Sequence, residues 1–70
     1  MTQQEIGKLI KEARISKGYT AKKLANLMGI STLSTIYRWE CGERKPRLTQ
    51  CQKLSKLLGI KINLLTELWK

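Results

Sequence analysis

Glycines at positions 18, 29, 42 and 59 cut the chain into segments of ten to seventeen residues, each with apolar side chains at helical spacing. Helices that short are marginal in water, so whatever helices these segments form must be held by one another. That requirement limits the fold more than any residue propensity does. No segment alternates apolar and polar residues as a half-buried strand would, and no repeat or low-complexity tract interrupts the pattern. Seventy residues make one domain, 1–70, near the lower limit for a core without disulfides or metal. The expected class is all-α, with five short helices.

Thr2-Gln3-Gln4-Glu5 is a capping box, in which the Thr and Glu side chains each satisfy a free backbone N–H at a helix start. Ile6, Leu9, Ile10 and Ala13 follow at i, i+3, i+4 and i+7, and Lys17-Gly18 closes the segment. This predicts helix 1 over about 3–17. Arg14 falls on the same apolar face, where a charge must find a partner. Thr20 is the expected N-cap of a second helix with Ala21, Leu24, Ala25 and Met28 inward and Lys22 and Lys23 outward, stopped at Gly29.

A third helix of about ten residues is predicted to end near Cys41-Gly42, with Leu33, Ile36, Trp39 and Glu40 inward. Ser31, Ser34 and Arg38 lie on its opposite side, flanked by Tyr37 and Cys41. Glu40 is then a second charge on a buried face, and a salt bridge with Arg14 satisfies both. Leu48, Cys51, Leu54, Ser55 and Leu58 predict a fourth inward stripe over about 48–58, ended by Gly59. Asn63 is expected to cap a last helix over about 63–69 that carries Leu64, Leu65, Leu68 and Trp69. Trp39 reads as core. Trp69 reads as the edge of the core or as half of a dimer contact.

Helices 2 and 3 meet the narrow demands of a helix-turn-helix, whose second helix enters the major groove of DNA. A small residue, Ala25, stands where the two helices cross, and Gly29 turns the chain four residues later. Ile30 and Ile36 lock the crossing. The string Lys17-Gly-Tyr-Thr-Ala-Lys-Lys-Leu-Ala-Asn-Leu-Met-Gly-Ile-Ser31, then Thr35-Ile-Tyr-Arg-Trp-Glu-Cys-Gly42 and Arg44-Lys-Pro-Arg47, resembles the phage repressor and Cro family of transcription regulators. The stretch Leu54 to Leu65 is similar to that family's closing segment, so the resemblance covers nearly the whole chain. It implies a lambda-repressor-like DNA-binding domain, and it implies pairing of Arg14 with Glu40. Two positions depart from the pattern. Ala21 stands where the family usually has Gln, which leaves Lys22 or Lys23 to make the phosphate contact. The span from Gly29 to Glu40 is one residue longer than usual, with the addition falling in the turn or at the start of helix 3, within Ser31 to Leu33.

Charge agrees with a polyanionic partner. Fourteen Lys and Arg oppose five acids, a formal net charge of +9. Residues 17 to 56 hold nine cations and two acids, net +7, while each flank contributes +1. Such a concentration favours a docking face over an evenly solvated surface. Arg38 and Tyr37 match outward positions of a recognition helix, where an Arg forks onto guanine O6 and N7 or grips a phosphate. Ser34 and Thr32 are further candidate base contacts. Lys22, Lys23, Arg44, Lys45 and Arg47 are candidate DNA-backbone contacts, the last three in a loop stiffened by Pro46.

Several classes are excluded. Two cysteines, Cys41 and Cys51, with no histidine cannot complete a zinc site, and neither a disulfide nor a cofactor is expected. The absence of histidine also removes the commonest acid–base catalyst; no partnered nucleophile or phosphate-cradling glycine loop replaces it, so no enzyme is expected. No apolar run approaches a membrane span and no signal peptide opens the chain, which reads as cytoplasmic. With five helices expected over these seventy residues, no small-molecule ligand is expected. The expected partner is a double-stranded DNA operator bound by a homodimer. Two other readings stay open: an antitoxin or partner-binding module on the same fold, and a non-specific basic nucleic-acid-binding domain.

Overall fold

Reciprocal hydrogen bonds start the first helix: Glu5 N–H donates to Thr2 Oγ1 at 3.1 Å and Thr2 N–H donates to Glu5 Oε1 at 2.8 Å. The Thr2 N–H holds the Glu5 carboxyl below its ordinary pKa. The contribution of this box is therefore present above the carboxyl's unfolded pKa and is lost as pH falls through its lowered folded value. The protein is described by a computed structural model over residues 1–69. Its elements in chain order are α1 (Gln3–Ser16), α2 (Ala21–Met28), α3 (Leu33–Glu40), α4 (Leu48–Leu58) and α5 (Ile62–Thr66), and a 3-10 turn (Glu67–Trp69) continues α5. No strand occurs among the described residues.

Every helix is short, and each contributes to one shared core. Ile6 and Ile10 of α1, Leu24 of α2, Ile36 of α3, Leu54 of α4 and Leu65 of α5 are fully buried, with Trp39 and Leu58 beside them. α3 packs against both α1 and α2, and α4 packs against α5 and α1. The core has few loose polar ends. Ser55, on the inward side of α4, donates from its hydroxyl to the Ile60 carbonyl at 2.6 Å, which fixes the bend between α4 and α5.

Three expectations need correction. Periodicity places Leu33 and Leu48 on inward stripes, but they are 40% and 51% exposed. Each is the first residue of its helix. A side chain there leans back toward the N-terminus, past the edge of the layer on which its helix packs. Asn63 does not cap the last helix. Ile60 is drawn into the core, the chain turns at Lys61, and α5 begins at Ile62 with no side-chain cap. α3 itself is eight residues long, because Ser31 and Thr32 lie outside it.

One glycine lies inside a helix and has a packing reason to be there. A Cβ at Gly7 of α1 would sit 2.7 Å from the Glu40 carbonyl oxygen and press on that of Trp39. Alanine would favour the helix by about 1 kcal/mol, but the backbones of α1 and α3 would have to separate. Gly7→Ala is therefore expected to destabilise by about 1–3 kcal/mol, the usual range for overpacking. Urea unfolding checks it, and a variant more stable than wild type would contradict the close approach.

Candidate nucleic-acid interface

The helix pair α2–α3 is built from its caps. Thr20 Oγ1 accepts from Lys23 N–H at 3.0 Å, so Lys22 and Lys23 project from the exposed first turn of α2. Gly29 ends α2, and Ile30 N–H returns to the Ala25 carbonyl at 2.8 Å, closing the turn over the small residue at the crossing. Thr32 is the N-cap of α3, its Oγ1 accepting from Ser34 N–H at 3.3 Å. The Thr32 hydroxyl uses only its oxygen in capping, and its proton is left free to donate.

Within α3 the division of faces is sharp. Ile36, Trp39 and Glu40 are buried, whereas Ser34, Tyr37 and Arg38 are exposed, Tyr37 by 53%. The buried side is anchored by charge. Arg14 Nε meets Glu40 Oε2 at 2.6 Å, Arg14 Nη2 donates to Glu40 Oε1 at 3.3 Å, and Arg14 Nη1 donates to the Tyr19 carbonyl at 2.9 Å. Both residues are 9% exposed. The outward Arg38 has a looser companion: its Nε lies 3.7 Å from Glu43 Oε2, with both side chains in solvent. A pair of that kind is worth little and gives way readily to competition.

The loop after α3 is tied down along its length. Gln3 Nε2 of α1 donates to the Gly42 carbonyl at 2.8 Å. Gly42 has φ +79°, and a Cβ there would lie 2.8 Å from Gln4 Cα, so only glycine fits. Glu43 and Arg44 both donate their N–H groups to the Arg38 carbonyl, at 2.9 and 3.2 Å. Pro46 is buried, and its carbonyl accepts from Trp69 Nε1 at 2.8 Å. Lys45 Nζ stands 3.9 Å from the centroid of the Trp69 ring and donates to the Leu68 carbonyl at 3.3 Å. Gln50 Oε1 accepts from Arg47 N–H at 2.8 Å, starting α4. Arg44 and Arg47 keep exposed guanidinium groups.

The electrostatic result is one-sided. All nine cations between positions 17 and 56 are exposed, while of the two acids Glu40 is sequestered by Arg14 and Glu43 alone faces solvent. α3 and the 42–47 loop are joined through the Arg38 carbonyl, and Lys22 and Lys23 stand on the neighbouring helix. No group of side chains suited to a metal ion occurs among the described residues. Cys41 is exposed; Cys51 is buried, and that burial pushes its thiol pKa up. No helix of the described chain is long and apolar enough to cross a membrane.

Several contributors are invisible to periodicity. Gly7 looks like a mild defect in α1 until α3 lies against it, and Gln3 looks like a solvated polar residue until the loop carbonyl reaches it. Trp69 offers the core edge and a dimer surface as readings; its hydrogen bond to Pro46 depends on two residues 23 positions apart.

Comparison with known proteins places the architecture. The family model described as Helix-turn-helix matches residues 10–65. A curated relative from Bacillus subtilis (strain 168), the SPbeta prophage-derived uncharacterized HTH-type transcriptional regulator YonR, is 36% identical over 59 residues. The match covers 84% of this chain and 54% of the relative, so the chain spans about half the length of that protein.

The buried pair behind α3 generates a thermodynamic prediction. Arg14→Ala or Glu40→Ala alone leaves an opposite charge buried without its partner, a loss of about 3–5 kcal/mol. Replacing both by apolar residues is expected to cost clearly less than the two single losses added. Thermal and urea melts of the three variants test this coupling. Strictly additive losses would show that the contact carries no energy.

Proposed function

The chain belongs to the helix-turn-helix family, and on that footing we propose that it binds double-stranded DNA sequence-specifically as a transcriptional regulator, a repressor of the phage or mobile-element kind. The observation that carries this reading is the two-sidedness of α3: its inner face is locked to α1 by a buried ion pair, and its outer face is bordered by cations with a single exposed acid. With its side chains an α-helix is about 10–12 Å across, which matches the roughly 12 Å width of the major groove.

In this reading Ser34, Tyr37, Arg38 and the Thr32 hydroxyl face base edges. Arg38 exchanges its weak companion Glu43 for a guanine. Lys22, Lys23, Arg44 and Arg47 hold phosphates on either side; Lys45 shares the loop, but its ammonium is already engaged by Trp69 and Leu68. Residues 1–70 act as one DNA-binding unit. One unit measures 28 Å in its longest direction, short of the roughly 34–36 Å between half-sites on one face of the duplex. Operator-level recognition therefore calls for two copies, a homodimer on a palindromic site. The net charge of +9 opposes association in free solution, so pairing is weak without DNA.

Selection of bound duplexes from a random pool, followed by gel-shift titration, tests the reading. If each protomer neutralises about four phosphates, log K falls against log salt with a slope near −4. A flat salt response, or equal affinity for selected and random duplex, defeats the proposal. Arg38→Ala is expected to relax preference at one base position by about 1–3 kcal/mol, whereas Arg44→Ala weakens all sequences alike. Equal weakening of selected and random DNA by Arg38→Ala would make Arg38 a phosphate contact.

A further inference from the structure

We propose that Trp69 is a positioning residue that holds the 42–47 loop in its phosphate-binding shape, with Lys45 serving this clamp instead of the DNA backbone. The inference rests on the DNA-binding reading. It begins with Pro46, a buried residue inside the most basic loop of the chain. A buried carbonyl needs a donor, and the two that reach Pro46 O are unequal. Trp69 Nε1–H donates at 2.8 Å, whereas the Cys51 thiol, a weak donor, lies at 3.7 Å. The indole is the strong one.

The neighbouring loop residue is gripped by the same turn. Lys45 Nζ lies over the Trp69 ring at 3.9 Å, where the negative face of the ring attracts the ammonium, and it also donates to the Leu68 carbonyl at 3.3 Å. Two consecutive loop residues, 45 and 46, are thus held by two consecutive residues of the terminal 3-10 turn. That turn has a further tie, since Glu67 Oε2 lies 4.0 Å from the N-terminal ammonium. Arg44 and Arg47 flank the gripped pair. Their backbone is fixed before any ligand arrives, at Arg38 O for Arg44 and at Gln50 Oε1 for Arg47, while their side chains remain exposed. A loop already in its bound shape does not pay the ordering cost of association. A cation whose ammonium is committed to a ring and a carbonyl releases few counterions from DNA.

The test uses the full chain and four variants: Trp69→Phe, which keeps a ring and removes the N–H, Trp69→Ala, Lys45→Ala and Arg44→Ala. Amide hydrogen exchange without DNA is followed at Glu43, Arg44 and Arg47, with core amides of α3 as the internal control. Affinity and salt slope are measured on a selected half-site duplex, which excludes pairing between copies, and on random duplex, and cooperativity is measured on the selected full palindrome. Both Trp69 variants are expected to speed loop exchange about tenfold relative to the α3 control. They should also weaken both duplexes about three- to tenfold, the scale of one lost hydrogen bond. Lys45→Ala is expected to leave the salt slope nearly unchanged, whereas Arg44→Ala lowers its magnitude by about one.

Unchanged loop exchange in Trp69→Ala overturns the clamp. A loss of slope in Lys45→Ala equal to that in Arg44→Ala makes Lys45 an ordinary phosphate contact. Half-site binding equal to wild type, with cooperativity lost on the palindrome, makes Trp69 a pairing surface instead. Should wild type bind neither duplex, the DNA-binding reading fails and takes the phosphate role with it; hydrogen exchange then decides the clamp separately.

Discussion

The joint between α1 and α3 is the constraint on which the other elements depend. Three residues in one stripe of α1 make it. Gln3 bonds the Gly42 carbonyl just beyond α3, Gly7 admits the carbonyls of Trp39 and Glu40, and Arg14 closes on the Glu40 carboxylate at 2.6 Å. An eight-residue helix has too few internal hydrogen bonds to persist alone. α3 is helical and correctly rotated because α1 holds its far end by backbone contact and by charge.

That joint also sets the electrostatics of the opposite surface. By drawing Glu40 inward and neutralising it with Arg14, it removes an acid from the neighbourhood of Tyr37 and Arg38. Burying two charges is expensive, and such a pair is weak evidence for stability in itself. Here it accomplishes two other things: it fixes the rotation of α3, and it leaves the exposed face to hydroxyls, a phenol and cations. The Arg38 carbonyl, accepting from Glu43 and Arg44, then carries the alignment of α3 into the loop. At its far side the same loop meets Trp69, whose indole N–H donates to the Pro46 carbonyl.

Much of this was readable from residue spacing, and the exceptions share a cause. The caps at Thr2 and Thr20 and the inward residues Ile6, Leu24, Ile36 and Leu54 follow from local pattern and agree with the structure. Leu33 and Leu48 carry the correct period yet lie exposed, because period assigns a face and not whether a neighbour reaches far enough to cover it. Asn63 has cap chemistry, but burial of Ile60 pulled the helix start one residue ahead of it. The polar face of α3 was legible for the same reason as its apolar one, since opposite faces of a helix are read from a single period.

Local pattern by itself determined the all-α class, the placement of the helix-turn-helix at α2 and α3 through Ala25 and Gly29, and the inward positions of Arg14 and Glu40, whose charges ask for each other wherever the fold buries them. These follow from interactions within a few residues or from a face that must be hidden. Only the tertiary structure decided that Gly7 is a contact point, that Gly42 lies against Gln4, and that Trp69 holds Pro46 while carrying Lys45 on its ring. Each of those is a distance between backbones or side chains far apart in the chain. Such distances are set by how the helices cross, and no local pattern of residue types encodes them.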